Sequence, residues 1–215
     1  MSKFNIFVAT KEHLSYVDVV LNTIADAAKV RGTGIAKRSP EYLQMKIEEG
    51  KAILALHDKE FAGFCYIETW GHDKFVANSG LIVADKFRGH GLAKAIKTKA
   101  FELSRKKFPE AKIFGLTTGL AVMKINSDLG YRPVTFSELT DDEQFWKGCQ
   151  SCVNYDILVR TERKHCLCTG MLFDPARQKN GVEKKSVKVL SRLKNVVKGS
   201  DNKIGRTLKS ITALF

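Results

Sequence analysis

Hydrophobic positions recur along this chain with two periods, and the switches between them lay out its elements. Residues 5–9 read as a short strand, after which Thr10 stands as N-cap to a helix carrying Leu14, Val17, Val20, Leu21 and Ile24 on one face. Gly32-Thr33-Gly34 ends that helix. Ser39-Pro40-Glu41 then opens a second one, with proline at its first position, running through Leu43 and Ile47 to Gly50. Two apolar segments, 52–56 and 61–69, are split by His57-Asp58-Lys59-Glu60 and predict a hairpin. A third strand, Phe75–Val83, leads through a glycine-bearing turn into an amphipathic helix, Leu92–Lys107. Beyond it the pattern predicts a strand at Lys112–Thr117, a short helix over 120–129, a strand over 131–136 and a last strand at Tyr155–Arg160.

This order gives an α/β class with one mixed sheet and helices on both faces. The single crossover helix between Val83 and Lys112 implies a local parallel pair.

The turn before that helix carries the clearest chemistry. Arg88-Gly89-His90-Gly91-Leu92-Ala93 joins a buried strand to a helix start, and two glycines leave backbone N–H groups open to phosphate oxygens, favoured by the helix dipole. Arg88 and His90 add donors. The turn is not a dinucleotide fingerprint, since the pattern lapses after Gly91, and it is not a P-loop. Arg88, Gly91 and Ala93 do match Gln or Arg, two free positions, Gly, one free position, then Gly or Ala. That pattern resembles the acyl-CoA motif of the GCN5-related N-acetyltransferases (GNAT). The resemblance implies the GNAT fold, acyl-CoA lying between two splayed parallel strands, and an N-acyltransferase activity. It also implies a cofactor-binding set of Val83, Arg88, Gly89, His90, Gly91, Leu92, Ala93 and Asn126, with the backbone N–H near Val83 polarising the thioester.

Three more segments are similar to one branch, the acetyltransferase domain of N-acetylglutamate synthases: residues 34–43, Phe114-Gly115-Leu116-Thr117-Thr118, and Asp128-Leu129-Gly130-Tyr131-Arg132-Pro133-Val134. Together they span about residues 30–135. The resemblance implies glutamate as acyl acceptor, as in the first step of arginine biosynthesis, with an acetyl or a dicarboxylic acyl group such as succinyl transferred. Glutamate offers two carboxylates, which Arg binds bidentately and Lys meets as a point charge. Lys37 and Arg38 are therefore the leading substrate ligands, with Arg31 second and Thr117 at the end of its strand. Another small amine as acceptor, or a non-catalytic CoA-binding regulator or RNA-associated adaptor, are the competing readings.

Two positions depart from the family pattern. Asn126 stands where many members have a tyrosine acid, and Ala77 stands where the synthases often have a glutamate. Asn126 can hydrogen-bond the cofactor, and Glu68 is the candidate base: burial beside Trp70 would raise its pKa toward a useful value. His72 and Asp73 follow it in the turn.

Composition adds three points. Of the net charge of +13, residues 176–215 carry +9, from eleven Lys and Arg against Glu183 and Asp201, which leaves the rest of the chain nearly ordinary. That region holds basic amphipathic patterns: Val182, Val187, Leu190, Leu193 and Val197, then Ile204, Leu208, Ile211 and Phe215. Such faces suit packing on the home domain, a homodimer mate or an anionic membrane surface, while the lack of aromatic interleaving argues against nucleic acid. Five cysteines without an N-terminal apolar leader suggest a reducing, cytoplasmic setting. Cys149-x-x-Cys152 and Cys166-x-Cys168 flank the predicted strand at Tyr155–Arg160, and if the chain turns back there, four thiolates can meet in a zinc site; small buried residues and ordinary surface thiols are the other reading. The organisation expected is an acyltransferase domain over 1–160, a cysteine-containing extension over 161–175 and a basic helical tail over 176–215.

Overall fold

Continuous apolar runs at residues 52–56 and 61–67 commit those two strands to burial on both faces. In the computed structural model, which describes residues 4–31 and 38–178, seven strands form one sheet in the order β1-β2-β3-β4-β5-β7-β6. They are β1 (Phe4–Val8), β2 (Ala52–His57), β3 (Glu60–Trp70), β4 (Phe75–Val83), β5 (Lys112–Thr117), β6 (Arg132–Val134) and β7 (Thr169–Phe173). The helices are α1 (Val17–Arg31), α2 (Pro40–Glu48), α3 (Leu92–Lys107), α4 (Leu120–Asp128), α5 (Glu143–Lys147) and α6 (Tyr155–Arg160). Every pairing is antiparallel except β4 with β5, the parallel pair that α3 connects.

Strand β2 shows how the layers arise. Ile53 and Ala55 point to the α3 side, where they pack with Ile67, Ile96, Ala100 and Leu103. Leu54 and Leu56 point the other way, into a core shared with Val20 and Ile24 of α1 and Leu43 and Ile47 of α2. Ser39 starts α2 as expected: its side chain accepts from the Tyr42 N–H at 3.2 Å, and Pro40 holds the first helical position. Thr10 caps a 3-10 turn, Lys11–Tyr16, and the α-helix begins only at Val17. A third apolar cluster, with Phe114, Phe136, Trp146, Leu158 and Leu172, fills the space over β5 and β7.

The largest departure from the sequence reading lies at Tyr155–Arg160, which is helix α6 and not a strand. Ile157 and Val159 favour extended backbone, but β-propensity yields to context. The sheet position beside β5 is taken by β7, and within the helix only Leu158 is fully buried. The expected return of the chain beside 155–160 therefore does not form; residues 169–173 insert between β5 and β6 instead.

By compactness the chain divides into Met1–Asp174 and Pro175–Phe215. Of the second unit only residues 175–178 are described, so the amphipathic patterns of the basic tail fall outside the described residues, as does Lys37. No helix among the described residues is long and apolar enough to cross a membrane.

Candidate active site

The site begins where the parallel pair comes apart. β4 and β5 are in register only from Phe75↔Lys112 to Ala77↔Phe114, yet both strands run on, to Val83 and Thr117. The reason is a bulge in β4: the register with β3 shifts between Phe64 and Tyr66, and Gly80 takes φ +66. A Cβ at Gly80 would stand 2.7 Å from the Tyr66 ring, so only glycine lets the bulge close there. A cavity of about 530 Å³ fills the gap, lined by β4 from Ala77 to Leu81, by β5 from Phe114 to Thr117, and by Asn126, Lys97 and Arg38.

The basic glycine turn stands at the outer end of this cleft. Gly89 and Gly91 have φ of +83 and +73, a region that side chains avoid, and a Cβ on either would meet open space. Gly91 is the N-cap of α3 and no side chain caps that helix. The N–H groups at its start, Leu92 and Ala93 included, therefore stand beside two open glycines with the positive end of a sixteen-residue helix behind them. Arg88 is tied back to Asp85 by an ion pair of 2.5 Å, and His90 turns its Nδ1 to the carbonyls of Phe87 and Arg88 at 3.3 and 3.0 Å. Val83 closes β4 nearby. The Ala84 N–H donates to the Ala62 carbonyl at 3.0 Å, and since the antiparallel ladder alternates, the Val83 N–H turns from β3 toward the gap.

On the α2 side of the cavity a polar cluster is built from α2 and β3. The Arg38 Nε donates to Tyr66 Oη at 2.6 Å, with the guanidinium 5.5 Å from the Tyr42 ring centre. Tyr42 donates to Glu68 Oε2, and Lys46, which is 3% exposed, pairs with Glu68 Oε1 at 2.5 Å. Burial works against the Arg38 charge, but the oxygens of Tyr66, Tyr42 and Glu68 outweigh it and raise the pKa. Burial pushes the Tyr42 hydroxyl far above the ordinary phenol range, with Tyr66 and Glu68 adding to it, so Tyr42 stays a donor.

Elsewhere on the lining, Asn126 of α4 is 1% exposed and its Oδ1 has no partner among the described residues. An unpaired buried amide oxygen costs about 1–3 kcal/mol, which a donor on a bound ligand would offset. Splayed strands, an uncapped helix start behind two open glycines, and an orphan acceptor fit a long thin ligand with a pyrophosphate at one end. A family model, the acetyltransferase (GNAT) family, matches residues 21–122. That match covers just under half of the chain, from α1 through the glycine turn to α4.

Several solved structures share the fold of this chain at low identity. One is the N-acetylglutamate synthase of Neisseria gonorrhoeae, complexed with coenzyme A and N-acetyl-glutamate: TM-score 0.57 and 15% identity, over 81% of this chain and 35% of that one. This chain thus spans about a third of that protein. Diaminobutyrate acetyltransferase of Paenibacillus lautus, in complex with L-2,4-diaminobutyric acid and coenzyme A, matches at TM-score 0.52 and 13% identity, over 81% and 96%. A putative acetyltransferase of Salmonella typhimurium with its cofactor acetyl-CoA gives 0.54 and 12%, over 81% and 95%. No curated protein sequence matches.

The residues expected from sequence are partly brought together in the enzyme. Arg38, Glu68, Thr117 and Asn126 all line the cavity, while the turn residues and Val83 lie outside its enclosed part. Thr117 accepts from the Gly119 N–H at 3.0 Å and so shapes the β5–α4 turn. Arg31 ends α1, and its side chain lies outside the described residues, as does Lys37. His72 and Asp73 do not reach the cavity; they are exposed residues of the β3–β4 turn with φ of 55 and 60.

All four late cysteines line the cavity wall. The Asn154 N–H donates to Cys152 Sγ at 3.4 Å, and Cys166 Sγ lies 4.0 Å from the Asn154 carbonyl. Burial first, then neighbouring thiols, push Cys149 up to about 11 and Cys168 up to about 12. Among the described residues no three Cys, His, Asp or Glu side chains are placed to hold a metal ion, so the expected zinc tetrad is not assembled. The two pairs nonetheless share one wall, where Cys168 hydrogen-bonds with Cys166 and feels Cys149 and Cys152.

Sequence reasoning missed Lys46, Tyr42, Tyr66 and Lys97. Lys46 and Lys97 leave a signal: each falls on the buried stripe of its helix, beside Leu43 and Ile47 or Ile96 and Ala100.

Proposed function

We propose that this acyltransferase moves an acyl group from acyl-CoA to the α-amine of an amino acid with an acidic side chain, glutamate first, in the opening step of arginine biosynthesis. The observation that carries this reading is Arg38. It is a half-buried guanidinium, held by Tyr66 on the wall of the cavity into which the acyl end of the donor would project. A planar fork pre-oriented in this way suits a carboxylate. Likeness to the gonococcal synthase supports the same substrate class through fold alone.

In the reaction a C–N bond forms as the C–S bond breaks; the amine loses a proton and the departing thiolate gains one. Glu68 is the base of this reading, since Lys46 and Tyr42 fix its carboxylate on the cavity wall. Asn126 orients the donor through its amide and cannot deliver a proton, so water protonates the thiolate.

The test is thiol release from acyl-CoA with a panel of amino acids. Turnover that requires glutamate or aspartate is the expected result. Equal turnover with acidic and neutral acceptors would remove Arg38 from the acceptor site.

A further inference from the structure

Lys97 is a buried cation that the chemistry above does not use. It sits on the stripe Ala93, Lys97, Ala100, Ser104 of α3, and is 2% exposed. Its neighbours satisfy one another without it. Tyr131 donates to Asn78 Oδ1 at 3.0 Å, the Asn78 amide donates to Ser104 at 2.9 Å, and Ser104 donates to the Ala100 carbonyl at 2.8 Å. Among the described residues no carboxylate pairs with the Lys97 ammonium, and its closest ring is Tyr131, at 5.5 Å from Nζ. Burial pushes its pKa down to about 8, the Cys65 thiol acting weakly the other way. An isolated charge is costly to bury, and a leucine or methionine would fill the same stripe at no such cost.

The location says what the charge is for. Lys97 lines the cavity, and a Cβ on Gly115 would stand 3.7 Å from Nζ and 3.4 Å from the Asn78 carbonyl. The ammonium therefore reaches the fork where β4 and β5 part, one residue beyond the last register pair, Ala77↔Phe114. The glycine turn lies beyond the other end of β4, past Val83, about 20 Å away at strand rise. Phosphates bound at the turn cannot reach Lys97. The Arg38 cluster approaches from α2 and β3 on the opposite face of the sheet. What arrives at the fork, when a donor lies along β4 with its pyrophosphate on the turn, is the far end of its acyl group.

We propose that Lys97 is an anion subsite for the acyl tail, so that the preferred donor is the CoA thioester of a dicarboxylic acid, of the succinyl kind, whose free carboxylate pairs with the ammonium. This rests on the acyl-CoA reading of the cleft and names its donor class.

Binding of succinyl-CoA and acetyl-CoA to the full chain without acceptor, measured by calorimetry, tests the subsite apart from the acceptor question. Succinyl-CoA binds at least ten times more tightly than acetyl-CoA in the parent chain; the ratio collapses toward one in Lys97→Met and is largely kept in Lys97→Arg. Equal affinities in the parent chain overturn the subsite, and that result does not depend on any variant folding. Loss of both donors to the same degree in Lys97→Met, with turnover falling equally, also overturns it and makes Lys97 a general support of the cleft. If neither thioester binds saturably, the acyl-CoA reading itself falls.

Discussion

A lysine ammonium buried without a carboxylate makes stability depend on pH in an unusual direction. Lys97 titrates at about 8 in the folded chain, against an ordinary value of 10.5. Between those two values the unfolded chain holds more protons than the folded one, so this group's contribution to stability rises with pH. Its cost is fully present below pH 8 and fades as pH climbs toward 10.5, on the order of 3 kcal/mol at neutral pH. Lys97→Met is therefore expected to raise the melting temperature at pH 7 by several degrees, with the advantage shrinking between pH 8 and 10. A constant difference across that range would mean that the lysine is not carrying the cost. Arg38 is the matching case on the acceptor side. Arg38→Ala should raise KM for an acidic acceptor by about 10–100-fold while leaving acyl-CoA affinity near its starting value. Glu68→Gln should lower kcat by about 100-fold while acyl-CoA affinity changes little; a variant that keeps its kcat would move the base elsewhere.

Among the elements, the bulged strand matters most to catalysis. Gly80→Ala forces a Cβ against the Tyr66 ring at positive φ, which should cost about 2–4 kcal/mol in denaturant unfolding and draw β4 back toward regular pairing. Gly91→Val, by contrast, meets open space in the folded chain. Its effect should appear chiefly as a weaker Kd for CoA, by tenfold or more, through a β-branched residue at φ +73 beside the phosphates.

These two glycines also mark what could be read from sequence. The turn was legible because a strand, two glycines and a helix start are local features. The bulge was not, since Gly80 differs from any strand glycine only through Tyr66, fourteen residues away in a neighbouring strand. The same division explains α6. Its β-branched residues predict a strand, and the outcome was decided by which segment takes the place beside β5. Arg38 and Glu68 could be named singly, but their joining through Tyr42, Tyr66 and Lys46 needed the hairpin and α2 in place.

At the scale of the whole molecule, the described sheet is complete once residue 173 is reached. The site residues named above all precede residue 179, and residues 179–215, which carry most of the net positive charge, lie outside the described residues. A chain ending at residue 178 is expected to keep its melting temperature within about 2 °C and its kcat/KM within about twofold. A larger loss of kcat/KM would place the basic segment in catalysis.

The position of β7 constrains how the protein can be made. It is the last of the described strands in sequence, yet it lies between β5 and β6, so β5 waits through more than fifty residues with one edge unfilled. Any nascent or cleaved chain that stops short of Thr169 carries that open edge, with Ile113 and Phe114 along it, as a template for another molecule. A fragment cut at residue 160 would hold the glycine turn, the bulge and Arg38, and should be recovered as aggregate. Covering the β5 edge and seating β6 are thus one event, because β7 is the strand that pairs with both.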